Sequence, residues 1–171
     1  MKLVLPSVEY EQSFRGYLEE LKNLGRSKTE MDSERLFKLS KDFDDFTQKL
    51  RAGAAGKFLP KGYVPHTMYW LVDGDKFIGG VDIRHTLTPH LLNVGGHIGY
   101  AIRPTERKKG YGSNILKLAL EKAKELGITK VRITCDTHNI GSTKIIEKNG
   151  GVLDDVAETP DGPKRRYWIT L

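Results

Sequence analysis

IRPTERKKGYG, residues 102–112, stands between a strand-like run that ends at Ile102 and the helical run SNILKLALEKAKEL, residues 113–126. A strand that turns through glycines into a helix presents the unpaired N–H groups of the helix start, at the positive end of its dipole. Such a junction suits an anion. Gly110 and Gly112 lack a Cβ and let the main chain approach a phosphate closely, while Arg107, Lys108 and Lys109 add charge and long donors. A solvated glycine turn would account for the glycines but not for their standing at a helix start.

Downstream of this junction, Ile115, Leu116, Ala119, Leu120, Ala123 and Leu126 give the helix a wide apolar face, which Gly127 closes. In KVRITCD, residues 130–136, Val131, Ile133 and Cys135 alternate with Arg132, Thr134 and Asp136, the period of a strand with the cysteine on its apolar side. A short helix is expected over residues 139–148, stopped by Asn149, Gly150 and Gly151, and end strands in GGVLDDVAE and RRYWITL. Upstream, GGHIGYAI supplies the strand that enters the junction. TMYWLV and KFIGGVDIR form a hairpin about Asp73, Gly74 and Asp75.

Two helical faces precede the hairpin. Tyr10, Phe14, Tyr17, Leu21 and Leu24 recur at helical spacing, as do Leu36, Leu39, Phe43, Phe46 and Leu50. The second run reads as one helix, capped by Asp32 or Ser33 and stopped by Gly53. GAAGKFLPKGYVP, residues 53–65, is an irregular loop by its glycines and prolines. Two helices, a hairpin, a strand–loop–helix–strand unit, a short helix and a final strand pair make one α+β domain over residues 1–171.

A chain of 171 residues can bury a sizeable core without covalent staples. Its single cysteine, Cys135, excludes an intrachain disulfide, and the Cys/His spacings of zinc sites are missing, so no metal is expected. A reducing compartment follows. MKLVLPSVEYEQ reaches Pro6 and Glu9 before an apolar core of signal-peptide length, and no run approaches membrane-spanning length; the expected location is cytoplasmic, with no membrane partner. The formal charge of +6 favours anionic ligands. ERKK (106–109) and KRR (164–166) are short basic clusters without a recognition element, so no nucleic acid partner is expected.

Three phosphate-binding designs compete for the junction. A P-loop needs a Gly-x-x-x-x-Gly-Lys string followed by Ser or Thr, which the chain lacks. A dinucleotide fold would use Gly110 and Gly112 with Asp136 as the ribose acid, but Ile115 holds the third glycine position and the turn is too long. The third design carries a resemblance. Arg107-x-x-Gly110-x-Gly112, after the strand YAIRP and before a long amphipathic helix, resembles the acyl-CoA motif of the GNAT family of N-acetyltransferases. NIGSTKIIEKNGGV, residues 139–152, resembles that family's next segment, in which an Asn begins a short helix that ends in Glu-Lys-x-Gly.

The resemblance implies a GNAT-like fold: a mixed, mostly antiparallel sheet flanked by helices and splayed open at the strand GGHIGYAI. The pantetheine arm of acetyl-CoA, the co-substrate, would pair with the main-chain groups freed there. By the same resemblance Tyr100, Ala101 and Ile102 meet the acetyl and pantetheine portion through their main chain, with an N–H near Ala101 or Ile102 as oxyanion donor. Arg107, Lys108, Lys109, Gly110, Tyr111 and Gly112 would cradle the pyrophosphate. Asn139 would touch the cofactor from the opposite side, or cap the short helix.

The implied activity is acetyl transfer from acetyl-CoA to a primary amine by direct attack. The family often places a Tyr in the short helix as the acid for the leaving thiolate, and here that position is Ile146. A non-catalytic acyl-CoA binder on the same fold therefore stays open. His97 is the expected base, because a histidine titrates near working pH, with Asp136 and Glu106 as lesser candidates. The acceptor, a small molecule or a protein amine, would meet Tyr63, His66, Tyr69 and Trp70. A homodimer is compatible with all of this.

Overall fold

Asp73 faces Lys76 across a turn in which Gly74 takes φ +57°, a left-handed conformation that a side chain would resist. This closes the expected hairpin. The computed structural model describes residues 1–24 and 33–171. In chain order its strands are β1 (Lys2–Val4), β2 (His66–Asp73), β3 (Lys76–Arg84), β4 (Ile98–Ile102), β5 (Lys130–Asp136), β6 (Val152–Ala157) and β7 (Lys164–Thr170). Its helices are α1 (Glu11–Asn23), α2 (Ser33–Leu39), α3 (Phe43–Ala52), α4 (Pro89–Asn93), α5 (Tyr111–Glu125) and α6 (Ile140–Lys148).

The strands form two sheets, β1-β2-β3-β4 and β5-β7-β6, and every pair within them is antiparallel. The sheets touch where β4 begins. Gly96 bridges to Ile133, His97 N–H donates to Arg132 O at 2.7 Å, and Gly95 N–H donates to Thr134 Oγ1 at 2.9 Å. A Cβ on Gly96 would lie 2.3 Å from Arg132 O, so only glycine lets the backbones come so close. Past this contact no pairing joins β4 to β5 among the described residues, and the two strands diverge.

Side-chain alternation along the strands divides the core. Leu71, Val81, Ile83 and Ile98 pack with Ile115, Leu116 and Ala119 of α5, Ile146 of α6, and Val131, Ile133 and Tyr167 of the second sheet. Trp70, Val72 and Phe77 pack against Phe14 and Leu18 of α1, Leu36 of α2, and Phe43 and Phe46 of α3. Phe14 stacks on Trp70 at 4.9 Å, and each large side chain buried this fully contributes roughly 1.5–3 kcal/mol.

Several expectations need correction. The helix read across residues 36–50 is two helices, because Ser40 to Asp42 leave the helix and Asp42 caps α3, accepting from Asp45 N–H at 3.0 Å. Its 3–4 spacing persisted because Leu36, Phe43 and Phe46 enter one core, whereas Leu39 is exposed. Asp32, proposed as a cap, lies outside the described residues, as does the Ser33 side chain. The run HTLTPHLLN, residues 85–93, reads as a loop in the sequence but contains α4, with Thr88 accepting from Leu91 N–H at 3.2 Å and Pro89 at its first position. β1 is too short to show a period, and only pairing with β2 makes it a strand.

Candidate active site

The register of β4 on β3 decides which β4 amides are open. Arg84 N–H donates to His97 O at 2.8 Å and Arg103 N–H to Ile78 O at 2.8 Å, and Gly99 and Ala101 keep the same phase opposite Asp82 and Gly80. Alternation then aims the main chain of Gly99 and Ala101 at β3, and that of Ile98, Tyr100 and Ile102 at the divergent side. The assignment of an open N–H to Ala101 is corrected accordingly: its amide belongs to the β3 ladder. Tyr100 and Ile102 keep theirs.

A cavity of about 260 Å³ occupies the divergence, lined in part by Gly99, Tyr100, Cys135, Asn139, Ser142 and Ile146. Burial pushes the Tyr100 hydroxyl up to about 12, although Ser142 draws it back. Ser142 is nevertheless not in hydrogen-bonding geometry, and Tyr100 Oη is buried without a partner. Asn139 caps α6, its Oδ1 accepting from Ser142 N–H at 3.0 Å, so the capping role and a place on the cavity wall coexist. Cys135 is buried as its alternation predicts, and burial raises its thiol. Ile146 is fully buried.

β4 ends at Ile102, and the junction follows it. Gly110 takes φ +85° as the cap of α5 and offers no side-chain cap. The first α5 amide to bond back is that of Asn114, to Gly110 O at 3.2 Å, so those of Tyr111, Gly112 and Ser113 point out of the helix start. A Cβ on Gly112 would lie 2.5 Å from Ile145 Cδ1, which gives this glycine a second task, seating α6 against α5. Tyr111 is partly buried and packs against the core. Lys108 holds φ +62°, an uncommon conformation for a residue with a side chain.

The loop is braced from behind. Arg107 Nε donates to Ile102 O at 3.1 Å. Buried Glu106 accepts from Lys76 at 2.6 Å and from Lys109 at 3.1 Å, and the Lys76 bond, aided by Lys109, holds its carboxyl below the usual range against its burial. That ties Glu106 to structure and removes it as a base. Arg103 donates to Glu20 Oε1 at 2.7 Å, and Thr105 donates to Glu20 Oε2 through N–H at 3.2 Å and Oγ1 at 3.0 Å. Burial pushes the Glu20 carboxyl up, but these bonds outweigh it and leave it below its ordinary value.

His97 does not fill the role of base. Its buried ring accepts the Arg132 N–H at Nδ1, 2.9 Å away, so in the neutral ring the proton sits on Nε2 and no lone pair remains to take another. Burial, with Arg84 adding to it, lowers its pKa and favours that neutral form. The residue fastens β4 to β5 at the mouth of the divergence. Asp136 lines the cavity but is ion-paired with Lys164.

On the acceptor side the expected residues separate. Trp70 is 2% exposed and belongs to the aromatic core, so it cannot meet a ligand. Tyr69 packs on the opposite core, and Tyr63 is exposed on its loop. His66 alone lies beside polar groups of the sheet, with its Nε2 3.8 Å from Asp82 Oδ1. Sequence reading missed Asp82, Arg84 and Ser142, which carry no motif and reach the site only through strand register and helix packing.

Comparison with known proteins agrees with this architecture. The model of the acetyltransferase (GNAT) domain matches residues 26–152. The microcin C7 self-immunity acetyltransferase MccE, solved with acetyl-CoA and AMP, aligns with TM-score 0.68 and 16% identity over 99% of this chain and 91% of that one. RimL, the ribosomal L7/L12 α-N-protein acetyltransferase, solved with coenzyme A, gives 0.68 and 15% over 100% and 95%. Mycobacterium smegmatis RimJ with CoA-disulfide gives 0.70 and 17% over 98% and 80%. A short chain dehydrogenase, gsfK of Penicillium aethiopicum, is 39% identical over 62 residues, 34% of this chain, and the match spans about a quarter of that curated relative, 25% of its length. No described helix is long and apolar enough to cross a membrane.

Proposed function

The chain belongs to the GNAT acetyltransferase family, and we propose that it moves the acetyl group of acetyl-CoA to a primary amine by direct attack. The observation that carries this reading is the unpaired edge of β4. The amides of Tyr100 and Ile102 point to the divergent side of β4, where a cavity is lined by Tyr100, and the strand leads on into the uncapped start of α5. An extended amide-bearing arm can pair with that edge as a strand would. The pyrophosphate then meets the amides after Gly110, with Arg107, Lys108 and Lys109 around it. That MccE and RimL were solved with acetyl-CoA or coenzyme A supports this placement.

Three chemical services divide among the residues. The Tyr100 or Ile102 amide donates to the oxyanion that forms as the amine adds to the thioester carbonyl. The Tyr100 hydroxyl, buried and unpartnered beside Ile146, donates a hydrogen bond to the leaving sulfur, in place of the tyrosine that Ile146 displaces from α6. Tyr100 thus acts through both main chain and side chain. His97 holds the cleft open at its hinge. We place the reaction in the cytoplasm, where acetyl-CoA is made and Cys135 stays reduced.

The named acceptors of the relatives differ: a ribosomal protein for RimL, spermidine for a Vibrio cholerae SpeG chimera, an aminoglycoside for AAC(6')-Ib. Their shared chemistry is a primary amine. Calorimetry with acetyl-CoA and amine-dependent release of free thiol test the proposal together. Binding with thiol release is the expected result; binding without release from any amine would favour a non-catalytic binder, and no binding would defeat both.

A further inference from the structure

Removal of the acceptor's ammonium proton has no owner among His97, Glu106 and Asp136. β3 sets Asp82 directly opposite Gly99 of β4. Alternation puts Asp82, Arg84 and the Gly99 position on the sheet face away from Tyr100 and α6. Gly99 has no side chain there, and a Cβ on it would meet only Arg84, 3.7 Å away. An amine reaching the open edge of β4 over Gly99 therefore passes within one strand spacing, about 5 Å, of Asp82.

Asp82 Oδ1 is buried and has no hydrogen-bond partner. The basic side chains around it stop short: His66 Nε2 is 3.8 Å from Oδ1 and Arg84 Nη2 is 3.6 Å from Oδ2. Both are held elsewhere. His66 Nδ1 lies 3.1 Å from Val64 O, and Arg84 Nη1 donates to Gly96 O at 2.9 Å and Gly95 O at 3.3 Å. His85, just past β3, spends Nε2 on Thr67 Oγ1 at 2.8 Å. A buried carboxylate with an empty acceptor site costs stability, and a donor that arrives with the ligand would recover it.

We propose that Asp82 is the docking and proton-accepting group for the ammonium head of the acceptor, an inference that rests on the cofactor placement above. Asp82 takes one proton from R–NH3+, leaving R–NH2 and a neutral carboxylic acid. The nitrogen lone pair forms the C–N bond, the C–S bond breaks, and the second nitrogen proton ends on the coenzyme A sulfur. Asp82 then returns its proton to solvent, one per turnover. Burial supports this by raising its carboxyl above the usual range, against the pull of His66, Arg84 and His85. Neutral His97, beyond Arg84, adds no charge. With Arg84 and His66 adjacent, an acceptor with one ammonium is favoured over a polycation.

The test is Asp82→Asn, which keeps the shape. Acetyl-CoA affinity by calorimetry stays within twofold, the thermal midpoint holds or rises, and kcat/KM for a peptide amino terminus or butylamine falls on the order of 100-fold or more, with the acid limb of the pH profile lost. Spermidine and an aminoglycoside should be poorer substrates than either. The wild-type rate and pH profile in Asp82→Asn would overturn the proposal while leaving the cofactor site standing. A wild type that does not bind acetyl-CoA would remove the reading beneath it. For a readout free of turnover, the Asp82 carboxyl carbon resonance should titrate above an ordinary aspartate and move lower with added butylamine. No response also overturns it.

Discussion

Along the side of β4 that faces β5, the groups set out for a ligand are main-chain amides and a helix start, supplied by one run of residues from Ile98 to Ser113. On the face toward Asp82 they are side chains from separate places in the chain: His66 on β2, Asp82 and Arg84 on β3, and His85 beyond it. The first region offers groups that every residue carries, so its chemistry survives wide sequence change as long as the turn and the glycines remain. The second depends on which side chains the register brings together. A family can therefore keep one cofactor and change acceptors, because the two regions answer to different parts of the sequence.

The largest effect that can break this comparison lies at Gly110. No atom stands within 4 Å of a Cβ built there, so Gly110→Asp should fold, at a cost of about 1 kcal/mol for its φ of +85°, yet lose acetyl-CoA affinity on the order of 100-fold through charge repulsion at the helix start. Calorimetry measures it, and retained affinity would move the phosphate site. His97→Ala comes next. Leaving the Arg132 N–H unpaired should cost about 1–3 kcal/mol, read as a drop in thermal midpoint, with the pH–rate profile unchanged in shape. A lost basic or acid limb would restore His97 as base.

Tyr100→Phe removes an unpartnered hydroxyl, so stability should hold while kcat falls about tenfold, roughly 1.4 kcal/mol. The loss should shrink for a thioester whose thiol is more acidic, since a better leaving group needs less help; an equal loss would assign Tyr100 to packing. The smallest effect belongs to Glu20. Its lowered carboxyl contributes stability that is present above the unfolded value near pH 4.3 and is lost as pH falls through the folded value. Glu20→Gln should flatten the fall in thermal midpoint below about pH 5, by no more than about 1 kcal/mol.

The legibility of the two regions follows the same division. Arg107, Gly110 and Gly112 were readable because a helix start needs its turn, its glycines and its charges in adjacent positions. Ala101 was misread because the phase of its amide depends on the pairing of Gly80 with Ala101, which β4 alone does not display. Trp70 was misread for the same kind of reason: the two faces of β2 are both apolar, so its period could not tell which core it enters. His97 looked catalytic by residue type, until the Arg132 amide claimed its lone pair. Asp82 showed nothing, being one acid in an otherwise ordinary strand.

What the sequence by itself determined is the order of the helices and strands from α1 onward, the break of the long second helix and the short α4 aside, together with the glycine-bearing, basic helix start of α5. These follow from local periodicity, turn chemistry and the dipole of one helix, all of which act over a few residues. The tertiary structure alone decided where β4 parts from β5, which of its amides stay open, and that Asp82 faces Gly99 across the ladder. Those outcomes depend on register and on contacts between residues far apart in the chain, and a shift of one residue would turn each of these groups to the other side.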